Sequence, residues 1–184
     1  LRTGMRIPVA KHIDNPFVQD KVKIGSNEYQ LDHLFGWFVG AYLAEGHVSN
    51  TTIGITNISE QFVNNTIQFA ERFGSTAKPK HEQGEYGPST TTLFANKNLA
   101  QFILEIIGTG SFVKKVPDFA FTAPNEFKAG LIQAYFDGDG NFQADETRNQ
   151  IRVCSRSAQL INDIGLLLAY FDIFGSIKEQ TIKE

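Results

Sequence analysis

Apolar residues at Leu31, Leu34, Phe35, Phe38, Val39, Tyr42 and Leu43 recur at helical spacing through "LDHLFGWFVGAYLAE" (31–45). This predicts a helix with Asp32 in its first turn and Gly46 in the left-handed position that ends helices. The β-branched run "HVSNTTIGITN" (47–57) reads as strand and turn. "NISEQFVNNTIQFAERFG" (57–74) reads as a helix, opened by Asn57 three residues before Glu60 and closed on Gly74. Residues 75–96 hold two strands around the turn-like "EQGEYGPS", and "NKNLAQFILEIIG" (96–108) is a short helix ending on glycine. A helix starting near Asn125 follows, then a hairpin "NFQADETRNQIRVCS" turning at "ADETRN". The chain continues with a helix over "SAQLINDIGLLLAYFDIFG" and a strand beginning in "SIKEQTIKE". Residues 1–29 show no helical period: an extended "MRIPVA" leads into a polar, proline-containing connection.

The pattern repeats. Gly36, Gly40, Ala44, Glu45 and Gly46 return as Gly130, Ala134, Gly138, Asp139 and Gly140, all at an offset of 94. "SEQFVNN" (59–65) returns as "SAQLIND" (157–163) at an offset of 98, and "FGS" (73–75) returns at 174–176. Helix, two strands, helix and strand therefore recur in one order, after which the first copy alone continues with a strand, a helix and the basic pair Lys114-Lys115. The second copy reads as incomplete by roughly 30 residues, and the opening "LRTGMRIPVA" reads as the start of an excised piece.

Interior glycine costs a helix roughly 1 kcal/mol against alanine, so the small residues at i, i+4 and i+8 call for compensation. Close packing of the two helices along those stripes supplies it. Glu45 and Asp139, just past the stripes, then emerge side by side. Two carboxylates forced together repel unless a cation shares their charge, and carboxylate oxygens suit Mg²⁺ completed by substrate phosphate. The chemistry this points to is metal-assisted phosphodiester cleavage, with one acid for each strand of a duplex.

Charge qualifies that picture. The 184 residues carry a formal net charge of −3, where a nucleic-acid partner predicts a basic chain. Arg148, Arg152 and Arg156, spaced every four residues after the second carboxylate, leave room for uneven distribution. Apolar content of 41% and charged content of 20% are those of a soluble globular protein, with no stretch long enough to span a bilayer. The single cysteine, Cys154, excludes an internal disulfide and suits a reducing, cytoplasmic interior.

At these residues the sequence resembles the LAGLIDADG homing endonucleases. "FVGAYLAEG" (38–46) fills all nine motif positions with Glu45 in the acidic slot; "IQAYFDGDG" (132–140) is the second motif, with Asp139 in that slot and Ala134 replacing its first glycine. The resemblance, which covers about residue 30 to the end, implies an α+β fold of pseudo-twofold αββαββα repeats, the second incomplete. It implies a monomer with an internal pseudo-dimer, Mg²⁺ or Mn²⁺ held by Glu45 and Asp139, and a saddle of strands in the major groove of double-stranded DNA. The segments are then 1–29, a splicing-domain tail or linker; 30–118, the first repeat; and 119–184, the second.

"GSFVKKVPDF" (110–119) is similar to the segment where the intein-borne branch carries an active-site lysine, with Lys114 the best fit and a solvated loop residue the alternative. "LRTGMRIPVAKHI" resembles the strand leaving an intein's splicing domain, which would make host exteins partners and place the splicing residues elsewhere. Arg148, Arg152, Arg156 and Lys178 are the DNA-contact candidates, the arginines being otherwise hairpin surface charges. The alternative to an endonuclease is a decayed domain that only binds DNA or RNA, as a regulator or splicing aid. "DGDGN" from Asp137 fails as a calcium loop, because Phe142 and Arg148 stand where glycine and glutamate are required. Asp137 is a helix-end carboxylate or an accessory ligand, with the former preferred. His47 is an exposed strand histidine or a phosphate contact. His12, His33 and His81 show no zinc spacing, and Cys154 is expected to be buried.

Overall fold

The computed structural model describes residues 13–14, 17–84, 87–144 and 149–180. A hairpin comes first: β1 (Lys21–Ile24) and β2 (Asn27–Gln30) turn at Gly25, whose φ of +62 suits a residue without a Cβ. This hairpin corrects the reading of 1–29 as a mere connection; the stretch 1–12 with "MRIPVA" lies outside the described residues. Val22 and Ile24 point inward by period-two alternation and join the core.

Helix α1 (His33–Glu45) follows. Asp32 is its N-cap rather than part of the first turn, accepting from the Phe35 N–H at 3.0 Å and pairing with Arg72 at 2.8 Å. Burial acts to raise the Asp32 carboxyl, but the Arg72 guanidinium and the Phe35 amide hold it below its ordinary range. Every residue from Phe35 to Leu43 is buried, so α1 is a central helix covered on all sides. It is covered by α4 (Asn125–Asp139), its most extensive partner, and by α2 (Glu60–Arg72), whose Phe69 stacks on Phe38 with centroids 3.8 Å apart.

β3 (Gly46–Ser49), β4 (Thr52–Thr56), β5 (Lys78–Gly84) and β6 (Gly87–Ala95) form an antiparallel sheet of order β3-β4-β6-β5, and α3 (Lys97–Ile106) closes the first half. Ile53, Ile55 and Phe94 face the helices. The second half gives α4, β7 (Asn141–Ala144), β8 (Asn149–Arg152) and α5 (Ala158–Ala169) in the order of α1, β3, β4 and α2. The architecture is the expected α+β one, helices against antiparallel sheets. A short 3-10 helix at Asp118–Phe121 was not expected.

The strand expected from Ser176 is absent among the described residues: 173–180 have no regular structure. The corresponding β5 is bonded only to β6, and the described second half offers no strand of that kind to pair with. Gly46 also departs from expectation. Its φ of −88 and ψ of 152 are extended, and it enters β3 directly, paired with Ile55. Glycine is needed for closeness, since a Cβ there would lie 2.6 Å from the Tyr42 Cα. Among the described residues no helix is long and apolar enough to cross a membrane.

Candidate functional site

The seam between α1 and α4 sets the site. A Cβ on Gly36 would lie 2.7 Å from the Phe127 carbonyl carbon, one on Gly40 would lie 2.9 Å from that of Leu131, and one on Gly130 would meet the Trp37 nitrogen at 2.9 Å. The two backbones touch at successive turns, which only absent side chains allow. At the far end Gly138 lies against Ala44 and Glu45: a Cβ there would be 2.7 Å from the Ala44 Cβ and 3.3 Å from the Glu45 Cγ. Glu45 and Asp139 thus leave the same end of one seam, as the repeat requires.

Their electrostatics agree with that placement. Burial raises the Glu45 carboxyl above its ordinary range, and the Asp139 charge adds to the rise. Burial raises Asp139 as well, against the pull of Lys114. Glu45 is half-buried and Asp139 exposed at its edge, so the two repelling carboxylates form a donor set that a hard cation can reach from solvent. No group of three or more His, Cys, Asp or Glu suited to a metal occurs among the described residues. That excludes there the closed tetrahedral cage a structural zinc would take. The two carboxylates themselves are a donor set of the kind through which a divalent cation binds, leaving the remaining positions to water and substrate phosphate.

Lys114 reaches the same place from the segment after α3. Only 7% exposed, it donates to the carbonyls of Tyr42 at 2.7 Å, Leu43 at 3.1 Å and Gly46 at 2.8 Å, with its Nζ 4.9 Å from the Tyr42 ring centroid. These carbonyls cluster at the C-terminus of α1, where a cation is favoured; that of Tyr42 also accepts from the Gly46 N–H. Burial pulls the ammonium down to about 8, with Asp139 and Glu45 opposing the fall. The lysine's charge therefore acts on both carboxylates, and the side chain also fastens the backbone that carries one of them. Nothing in the sequence signalled this second task, because its partners are main-chain oxygens. The segment is held from the second half too: the Val116 N–H donates to Asp163 Oδ2 at 3.2 Å, and the Arg156 guanidinium lies 5.2 Å from the Phe112 ring centroid.

The other candidates are dispersed. His47 is exposed on β3, on the sheet face away from the helices, with its ring over Gly54. That face also carries Thr56, Lys78, Lys80, Ser89 and Thr91; Lys80 pairs with Glu82 at 2.6 Å. Arg152 ends β8, and both its Nε and Nη2 donate to Gln150 Oε1, at 3.1 and 2.6 Å. Arg148 lies outside the described residues, and Lys178 is exposed in the irregular 173–180 segment. Asp137 is exposed on the last turn of α4. Cys154 is exposed rather than buried, because alternation after β8 turns Val153 to the core and the thiol outward. Sequence reasoning missed Gln150; the signal was its place two residues before Arg152 on one strand, which sets both side chains on one face.

The LAGLIDADG-like domain pattern matches residues 32–108 and 126–184. The DNA-directed RNA polymerase subunit Rpo1C of Methanocaldococcus jannaschii is 38% identical over 205 aligned residues, covering 98% of this chain and 23% of that protein. A DNA gyrase subunit of Mycolicibacterium flavescens is 31% identical over 143 residues, covering 73% of this chain and 25% of that one. The chain thus spans about a quarter of the length of each. Among solved structures, I-DmoI in complex with DNA and Mn superposes with a TM-score of 0.58 at 10% identity, covering 83% of this chain and 85% of that one. The N-terminal LAGLIDADG domain of WhiA gives 0.57 at 10% identity, covering 83% and 72%.

Proposed function

The chain belongs to the LAGLIDADG-like domain family, and from that premise we propose that it is the site-specific, double-strand DNA endonuclease domain of an intein, hydrolysing phosphodiesters with Mg²⁺ or Mn²⁺. One observation carries the reading: α1 and α4 meet backbone to backbone, and the seam ends with Gly138 packed on Ala44 and Glu45, so two acids leave it together.

The residues divide the work. Glu45 and Asp139 come from equivalent helix ends related by the internal repeat, so each addresses one strand of a two-stranded substrate. A divalent cation held by the two acids would supply Lewis-acid stabilisation of the charge that develops on the scissile phosphate. Lys114 holds the last carbonyls of α1, which fixes where Glu45 points, and its charge offsets the repulsion between the acids. The outer sheet face, with Lys78, Lys80 and its threonines, lies against the duplex. I-DmoI, similar in fold, has been solved with DNA and Mn and with DNA and Ca, which supports the same partner and divalent chemistry here.

The intein setting rests on the relatives. A gyrase and an RNA polymerase do different work, yet one polypeptide of each shares this stretch over about a quarter of its length. A segment common to unrelated enzymes is what a mobile insert leaves. Residues 1–29 are then the splicing-domain tail, 30–118 and 119–184 the two repeats, and the flanking host sequences the exteins, all inside the cell. The competing reading, a domain that only binds nucleic acid, is disfavoured because both carboxylates stand at the seam.

The test is cleavage by the full-length protein of a duplex selected from a randomised pool. Double-strand cutting in Mg²⁺, binding without cutting in Ca²⁺ and no cutting in EDTA are expected. Equal cutting in EDTA would end the metal mechanism, and binding without cutting in every cation would leave the binding module.

A further inference from the structure

The β7–β8 hairpin carries a second instruction. Its register pairs Asn141 with Arg152 and Gln143 with Gln150, which puts these four polar side chains on one face and Phe142 and Ile151 on the other. The first repeat shows which face is which. His47 pairs with Gly54 and Val48 with Ile53, and the offsets of 94 and 98 carry these onto Asn141 with Arg152 and Phe142 with Ile151. Ile53 is 0% exposed against the core while His47 is exposed. The polar quartet is therefore the counterpart of the outer sheet face, beside the end of α4 that carries Asp139.

Within the quartet Arg152 is not free to wander. Its Nε and Nη2 both donate to Gln150 Oε1, which occupies that oxygen and fixes the guanidinium plane while leaving the Nη1 hydrogens and one on Nη2 unused. A held guanidinium with paired outward N–H groups matches the O6 and N7 acceptors of guanine in the major groove. A mobile charge would serve a phosphate equally well without being held. Asn141, the first residue of β7, two after Asp139 and opposite Arg152, and Gln143, about 6.8 Å further along the strand, have amides of the kind that pair with adenine. That step is about two base pairs of duplex at 3.4 Å each.

We infer that Arg152 is the specificity-determining residue for a guanine beside the scissile centre, that Gln150 is its positioning residue, and that Gln143 selects an adenine about two base pairs further out. The inference rests on the DNA-binding reading above. The Gln150–Arg152 unit is a reader of one base pair, not a phosphate clamp.

The experiment is selection of a randomised duplex pool by the full-length protein in Ca²⁺, repeated with Arg152→Ala, Gln150→Ala, the double variant and Gln143→Ala. The parent is expected to enrich one guanine whose preference falls about 5- to 150-fold in Arg152→Ala, the range of one bidentate contact. Gln150→Ala should lose preference at that same position and no other, and the double variant should lose no more there than Arg152→Ala alone. Gln143→Ala should relax an adenine about two positions away. Arg152 and Gln150 variants that weaken all sequences alike, or relax different positions, overturn the inference while leaving DNA binding intact. A parent that enriches nothing overturns the DNA reading and the inference with it.

Discussion

Lys114 donates to three main-chain oxygens at the end of α1, and the consequences of that arrangement can be measured apart from any reaction. Lys114→Met removes the donors and leaves acceptors at a buried helix end, so denaturant unfolding should show a loss of at least roughly 1–3 kcal/mol near neutral pH. The pH dependence has a definite sign. The ammonium is pulled from 10.5 down to about 8 by burial, so between those values the unfolded chain binds more protons than the folded one. Stability from this group therefore rises with pH across that window. The advantage of the parent over Lys114→Met should grow from pH 8 to pH 10; a difference that is flat or shrinks would mean that the amine is not desolvated as described. The acids were legible at this scale because each ends an apolar run before glycine. The lysine's carbonyl partners were not, since a sequence does not show where main-chain oxygens gather.

At the scale of elements, glycine's role depends on what its missing Cβ would meet. On Gly40 it would lie 2.9 Å from the Leu131 carbonyl carbon, across a seam of backbone that has no side chain to move. Gly40→Ala should therefore destabilise by roughly 1–3 kcal/mol despite alanine's better helix propensity. Gly165 in α5 is also helical, but its Cβ would stand 3.5 Å from Ile177 Cδ1, an ordinary contact. Gly165→Ala should stabilise by about 0.5–1 kcal/mol. Paired thermal or denaturant unfolding decides it, and both changes having the same sign would contradict the seam. The stripe was readable because matched small residues at i, i+4 and i+8 are costly without a reason. The β1–β2 hairpin was written as plainly, in Val22 and Ile24 alternating with lysines before Gly25-Ser26, but lysine-rich alternation looks polar until the turn is noticed. The strand expected from Ser176 shows the opposite limit, because a strand depends on a partner as well as on its own residues.

Across the whole molecule the charge balance and the fold pull apart. A net charge of −3 leaves little general attraction to a polyanion, so on the proposed function affinity would come from a local face and from base contacts. Lys78, exposed on the outer face of the sheet, should act as a phosphate contact. Lys78→Ala should weaken binding to all sequences and flatten the salt slope by about 0.9. Arg152→Ala should leave that slope nearly unchanged while losing one base preference, and a salt titration of both variants separates the two roles. Composition argued against nucleic acid because it averages over surfaces, whereas register and alternation, once the strands are placed, show which side chains share a face.

The central claim is that Glu45 and Asp139 act together in catalysis and contribute little to holding DNA. The most direct measurement is cleavage and binding by Glu45→Gln and Asp139→Asn in the full-length protein, on one selected duplex in Mg²⁺. Both single variants should lose double-strand cutting almost entirely and bind within a few-fold of the parent, since neither carboxylate neutralises a phosphate. Cutting at the parent rate by either variant, or binding lost in step with cutting, would contradict the account.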